Sequence, residues 1–159
     1  MSTNSALFHR SAGTGKAYWG PGDLYTFLVS GEESNGAFFT MEALVPAGGG
    51  PPMHIHRNEH ETFYVLEGQC TFRLEDETVV AGPGDVVNIP IGARHFFRND
   101  GPEPTKLIIT FSPAGIEGFF EETLERAEDP TQAPPSNVAE VGARYVAAAP
   151  RYGLEFYFD

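Results

Sequence analysis

The chain has one cysteine, Cys70, among its 159 residues, so no internal disulfide can staple it. Nothing in it therefore calls for an oxidising compartment. Basic residues are also scarce: ten Lys and Arg stand against 22 Asp and Glu, a formal net charge of −12. An acidic surface repels nucleic acid and anionic membranes, which leaves a small molecule as the expected partner. Long apolar runs are missing too. No segment reaches the roughly 20 residues that a membrane-spanning helix needs, and the opening MSTNSALFHRSAGTGKAYWG lacks the apolar stretch of a signal peptide. The expected location is the cytoplasm. There is no low-complexity segment and no internal repeat beyond the two motif halves described below.

What is plentiful is just as informative. Thirteen Phe, six Tyr, eighteen Gly and thirteen Pro suit short strands joined by tight turns, in a chain long enough for one domain. From Leu24 onward apolar residues recur with period two. In 37–45 one face reads Ala37, Phe39, Met41, Ala43, Val45, and in 70–75 Cys70, Phe72 and Leu74 alternate with Thr71, Arg73 and Glu75. Further strands are expected at 24–29, 62–66, 78–81, 85–89, 94–98 and 105–111. After Phe111 the period becomes helical. Ser112 is placed to cap a helix with Pro113 in its first turn and Ile116, Phe119, Phe120, Thr123, Leu124 and Ala127 on one face. A second helix is expected from about Ser136 to Pro150, with Val138, Val141, Tyr145, Val146 and Ala149 as its stripe. The aromatic tail RYGLEFYFD is too apolar to leave exposed and is expected to dock. Residues 1–20 form an N-terminal arm, 21–112 an all-β body and 113–159 a helical extension packed on it. The fragment Gly13-Thr14-Gly15-Lys16 is no phosphate loop, because Arg10 stands where the first glycine belongs and Ala17 where Ser or Thr is needed.

The chemistry sits between Gly48 and Gly68, GGGPPMHIHRNEHETFYVLEG, and between Gly84 and Asn99, GDVVNIPIGARHFFRN. His54 and His56 leave the same face of an extended chain, Glu61 follows in the next strand, and His95 lies among strand-forming residues. Three imidazoles and a carboxylate can hold a divalent transition metal with positions left open. His60 competes with Glu61, but neighbours in a strand point to opposite faces, so at most one of them reaches a common site. The register with Phe63 and Val65 favours Glu61. His9, far from both segments, is expected on the surface.

These two segments resemble the cupin family. A glycine, five residues, His-x-His, four residues, Glu, six residues and Gly are met by Gly48, His54, His56, Glu61 and Gly68. The second half is met by Gly84, Pro90, Gly92, His95 and Asn99. The resemblance covers about residues 20 to 112. It implies an all-β double-stranded β-barrel of jelly-roll type with a C-terminal helical extension, and His54, His56, Glu61 and His95 as ligands of one divalent metal ion (Fe, Mn, Ni, Cu, Co or Zn). PPMHIHRNEHETFYVLEG followed by a helical tail is most similar to the quercetin 2,3-dioxygenase-like group. That likeness implies an oxidoreductase acting with O2 on a small enolisable or phenolic, flavonol-like substrate, with Glu61 as the catalytic base. A metal-assisted isomerase, cyclase or lyase, or a cupin that only binds a small molecule, are the alternatives. Phe39, Met41, Phe63, Phe72, Phe97 and Phe111 are the candidate pocket residues, most of them expected to fill the barrel. Cys70 is expected to be a small core residue. Family members are commonly dimeric, which implies a homodimer.

Overall fold

The computed structural model describes residues 5–158. Among these, twelve strands form two antiparallel sheets that face each other. The larger sheet contains β1 (Ala17–Trp19), β2 (Leu24–Val29), β3 (Phe39–Val45), β5 (His60–Glu67), β8 (Val86–Ile89), β10 (Thr105–Ser112) and β11 (Glu125–Arg126), in the order β11-β1-β2-β3-β10-β5-β8. The smaller contains β4 (Met53–His56), β6 (Cys70–Leu74), β7 (Glu77–Ala81), β9 (His95–Arg98) and β12 (Leu154–Tyr157), in the order β12-β4-β9-β6-β7. This is a jelly roll. Among the described residues no helix is long and apolar enough to cross a membrane.

Alternation decides what each strand buries. Phe39, Met41, Ala43 and Val45 of β3 point inward and are buried, as are Leu107, Ile109 and Phe111 of β10 and Phe63 and Val65 of β5. Apolar contacts between the sheets supply most of the driving force for folding. At one end the space is closed by an aromatic cluster in which the Phe63 ring lies 4.8 Å from Phe72 and 5.3 Å from Phe97. Cys70 belongs to this core, and burial pushes its thiol up to about 12, which makes it a small apolar filler.

Beyond Phe111 the structure departs from the expected pattern. Ser112 does not cap a helix; it ends β10 and its hydroxyl donates to the Ala37 carbonyl at 3.1 Å. Helix α1 runs only over Glu117–Thr123, with Ile116 at its cap and no side-chain cap. It stops there because Glu125–Arg126 turns into a strand that pairs with β1. Helix α2, Val138–Ala148, buries Val141, Tyr145 and Ala148, while Val138 and Val146 of the expected stripe are exposed. The tail forms β12 and pairs with β4, so the extension is part strand and completes the smaller sheet. Likewise the expected arm is not separate from the body, since Ala17–Trp19 is a sheet strand; residues 1–4 lie outside the described residues. Gly13–Lys16 is irregular, and the Thr14 hydroxyl donates to the Ser11 carbonyl.

Candidate metal centre

The four residues singled out by spacing meet at the open end of the sandwich. His54 and His56 lie on β4 and His95 on β9, and the pairing of these strands sets His54 opposite His95. Glu61 comes from the facing sheet, on β5 between Ile89 and Phe111. A backbone bond from the Gly92 N–H to the His56 carbonyl, 2.9 Å, ties the two halves of the motif together. Two glycines shape the approach to β4. Gly48 has φ +77 in open space, a turn conformation and nothing more, whereas at Gly50, with φ +140, a Cβ would lie 2.1 Å from the Phe97 carbonyl oxygen. Only glycine lets the loop pack that tightly on β9.

All four side chains are buried, and one donor atom from each lies within 4.8 Å of the others. His60, the competing candidate, is exposed on the opposite face of β5, and His9 is exposed as well. Each imidazole turns Nδ1 to an oxygen: His54 to the Pro52 carbonyl at 2.8 Å, His95 to the Ala93 carbonyl at 2.9 Å, and His56 to Glu59 Oε1 at 2.7 Å. A carbonyl only accepts, so Nδ1 carries the proton and Nε2 is left to face inward as a lone pair. The Nε2 atoms of His56 and His95 nevertheless lie 3.2 and 2.9 Å from Oε2 of the same Glu61. Two lone pairs do not sit against a carboxylate without a positive charge between them, supplied either by a proton or by a cation.

The electrostatics agree. Burial and the neighbouring His56 and His95 push His54 down to about 3. At His56 burial also pushes down, but the Glu61 charge and hydrogen bonds to Glu59 and Glu61 outweigh it and raise the ring to about 9. Burial pushes the Glu61 carboxyl up, and the His56 charge with hydrogen bonds from His56 and His95 overrides it, holding the group well below the usual carboxylate range. The donor set therefore fits a divalent transition metal.

Glu59 holds no fixed place in either motif half, yet it belongs to the site. It is buried at 3% exposure and orients His56. Its only sequence signal was its place three residues after a ligand. Asn99 closes the second motif with a structural role: its side-chain amide donates to the Val45 and Glu103 carbonyls at 3.1 and 2.7 Å, and its Oδ1 accepts from the Gly101 N–H at 3.0 Å.

Beside the cluster lies a cavity of about 50 Å³. That is room for one or two waters, not for a bicyclic molecule. Of the six expected pocket residues, Met41, Phe97 and Phe111 line it, whereas Phe39, Phe63 and Phe72 do not and are packed into the core. The walls that sequence reading missed are Tyr25, Phe119, Phe120, Tyr145, Leu154 and Phe156, most of them from the C-terminal extension. So α1 and α2 do not merely pack outside the barrel; they roof its mouth. A second concavity of about 390 Å³ shares Tyr25, Pro51, Tyr145 and Phe156 with the first, and these side chains form the partition between inner cavity and vestibule. Another concavity, about 520 Å³, lies over outward-facing residues of β6 and β9 such as Arg73 and Arg98 and takes in none of the four clustered residues.

Comparison with known proteins points to the same span. The family model for the cupin domain matches residues 41–111, the span that carries all four clustered residues. That segment is a cupin domain. Quercetin 2,3-dioxygenase of Bacillus subtilis (strain 168) is 30% identical over 97 residues, which cover 61% of this chain and 28% of that protein. A protein named polyketide synthase CurC from Streptomyces cyaneus is 33% identical over 92 residues, 58% of this chain and 60% of its own length. The chain thus spans about a quarter of the first relative's length and less than two thirds of the second's. Among solved structures, an RmlC-like cupin from Shewanella frigidimarina NCIMB 400 superposes with a TM-score of 0.59 at 24% identity, covering 70% of this chain and 96% of the other.

Proposed function

We propose that this cupin is a metal-dependent oxidoreductase of dioxygenase type acting with O2 on a small enolisable or phenolic substrate of flavonol-like character. The observation that carries the reading is the buried His54–His56–Glu61–His95 group beside a cavity walled by Phe97, Phe111, Phe119, Phe120 and Phe156. The likeness to a quercetin 2,3-dioxygenase supports it.

In this reading the four residues hold one divalent metal ion, which supplies Lewis acidity toward an enol or phenol and, when redox-capable, chemistry with oxygen. The protein does the rest. Glu61 is ionised and accepts the substrate's hydroxyl proton on its carboxylate; a weak base suffices for a hydroxyl that the site has already acidified. Glu59 and the carbonyls of Pro52 and Ala93 hold the rings in the tautomer that presents Nε2. The aromatic roof excludes water and stacks on a flat substrate. Because the inner cavity is small, such a substrate occupies the vestibule and reaches inward past Tyr145 and Phe156. Assembly belongs to the same proposal: Leu44, Tyr64, Leu66 and Val86 are exposed on the larger sheet, and a second copy covers them in a homodimer.

Metal content by mass spectrometry, paired with oxygen uptake on flavonols, tests the reading. About one equivalent per chain, lost in His54→Ala, with uptake abolished in Glu61→Gln, is the expected result. No metal after reconstitution, or full turnover in Glu61→Gln, overturns it. Turnover without oxygen selects a metal-assisted isomerase, cyclase or lyase instead, and ligand binding without product selects a binding cupin.

A further inference from the structure

Outside the histidine cluster, two buried polar side chains on the vestibule wall have an atom with no hydrogen-bond partner among the described residues: Asp23 through Oδ1 and Tyr145 through its hydroxyl. Their exposures are 2% and 8%. Asp23 sits in the tight turn before β2, where its carbonyl accepts from the Gly20 N–H at 2.8 Å, and its Oδ2 accepts from the Tyr25 hydroxyl at 2.9 Å. Tyr145 approaches from α2, a segment more than a hundred residues away. Its ring packs on Phe119 at 4.7 Å and Phe156 at 5.9 Å, and its hydroxyl is buried. Tyr25 and Tyr145 also line the inner cavity. A buried carboxyl oxygen and a buried phenol left unpaired are costly in a finished core, and native proteins keep such groups where something else satisfies them.

We propose that Asp23, Tyr25 and Tyr145 form a recognition site for a hydroxyl group of a neutral aromatic ligand, seated in the vestibule at the partition to the metal cavity. Asp23 Oδ1 accepts the ligand's O–H, the Tyr145 hydroxyl donates to the ligand's oxygen, and Tyr25 holds the carboxyl in place. An anionic ligand group is excluded by the Asp23 charge and by the acidic protein around it. The surrounding rings of Phe156 and Phe158 and the Pro51–Pro52 edge suit the flat apolar remainder. A site built to bond a hydroxyl discriminates against an analogue lacking the donor, because its own polar groups are then left unpaired. The proposal deepens the phenolic-substrate reading above and rests on it for the identity of the ligand, but not on metal or turnover.

The test is binding of 2-naphthol against 2-methoxynaphthalene, two rings of near-equal shape that differ in the donor, followed by fluorescence on metal-free protein at pH 8. Wild type is expected to prefer the naphthol about tenfold, the worth of one good hydrogen bond. Asp23→Asn, which keeps the shape and removes the charged acceptor, reduces that preference severalfold, whereas Tyr145→Phe, which removes the donor to an oxygen that both probes carry, weakens both severalfold and keeps the packing. Equal binding of the two probes by wild type, no binding of either, an undiminished preference in Asp23→Asn, or unchanged affinity for both probes in Tyr145→Phe overturns the proposal. Because the readout uses neither metal nor oxygen, a negative oxygen-uptake result leaves it standing, and a lost preference leaves the metal reading standing.

Discussion

At the scale of single residues, the centre depends on groups that touch no ligand. Glu59 fixes the His56 ring at 2.7 Å, and removing the charge of such an outer partner costs metal affinity of about 10–100-fold. Glu59→Gln is therefore expected to retain the fold, with an unchanged melting temperature in chelator, and to bind added metal about tenfold or more weakly in a competition titration; unchanged affinity would remove Glu59 from the site. Asp23 makes a different prediction. Burial raises its carboxyl from the ordinary 3.8 to about 7, against a lowering hydrogen bond from Tyr25. The folded state thus binds the proton more tightly than the unfolded chain. Stability is unaffected below about pH 4, falls by about 1.4 kcal/mol for each pH unit between there and 7, and levels off above. Urea unfolding of wild type and Asp23→Asn at pH 5 and pH 8 checks this: the variant gains on wild type by a few kcal/mol at the higher pH, and an equal difference at both pH values would contradict it.

At the scale of elements, β12 and α1 do more than the body they follow would require. Without β12, strand β4 and two of the four clustered residues would form the sheet edge; pairing of Phe156 with His54 prevents that. The Phe156 ring lies 5.8 Å from the His54 ring and 5.9 Å from Tyr145, so it is at once partition and clamp. Phe156→Ala is expected to lower stability by on the order of 2 kcal/mol, less than for a fully buried Phe, to join the inner cavity to the vestibule, and to leave metal stoichiometry unchanged. Chemical denaturation and metal analysis on the same sample read both. A loss of metal together with stability would show instead that Phe156 positions the histidines. Helix α1 is held from outside its own turn, since Glu117 Oε1 accepts from the Gly31 N–H at 2.8 Å and Oε2 from the Gly115 N–H at 2.7 Å. Those bonds place Phe119 and Phe120 over the site.

At the scale of the whole molecule, a ligand that binds only the folded centre adds stability by mass action, about 2.7 kcal/mol at a hundred times its dissociation constant. Reconstitution after chelation should raise the melting temperature by roughly 5–10 °C, and His54→Ala should show no such rise. A wild-type protein indifferent to every first-row divalent metal would argue against a centre of this kind. The sequence by itself determined whatever depends on near neighbours. His54 and His56 share a face because a strand alternates, Glu61 rather than His60 turns inward for the same reason, and Gly48 and Gly92 have the positive φ that the turns before β4 and β9 require. The jelly roll was implied by the family resemblance that the two motif halves carry. Only the tertiary structure decided what covers the centre. Tyr25, Phe119, Tyr145 and Phe156 come from four separate elements, and no local period records that they will meet. The helical pattern after Phe111 could not reveal where pairing with β1 would end α1, nor that the aromatic tail would become a strand beside His54. Long-range pairing and packing settle such points, because the free energy of each depends on a partner distant in the chain.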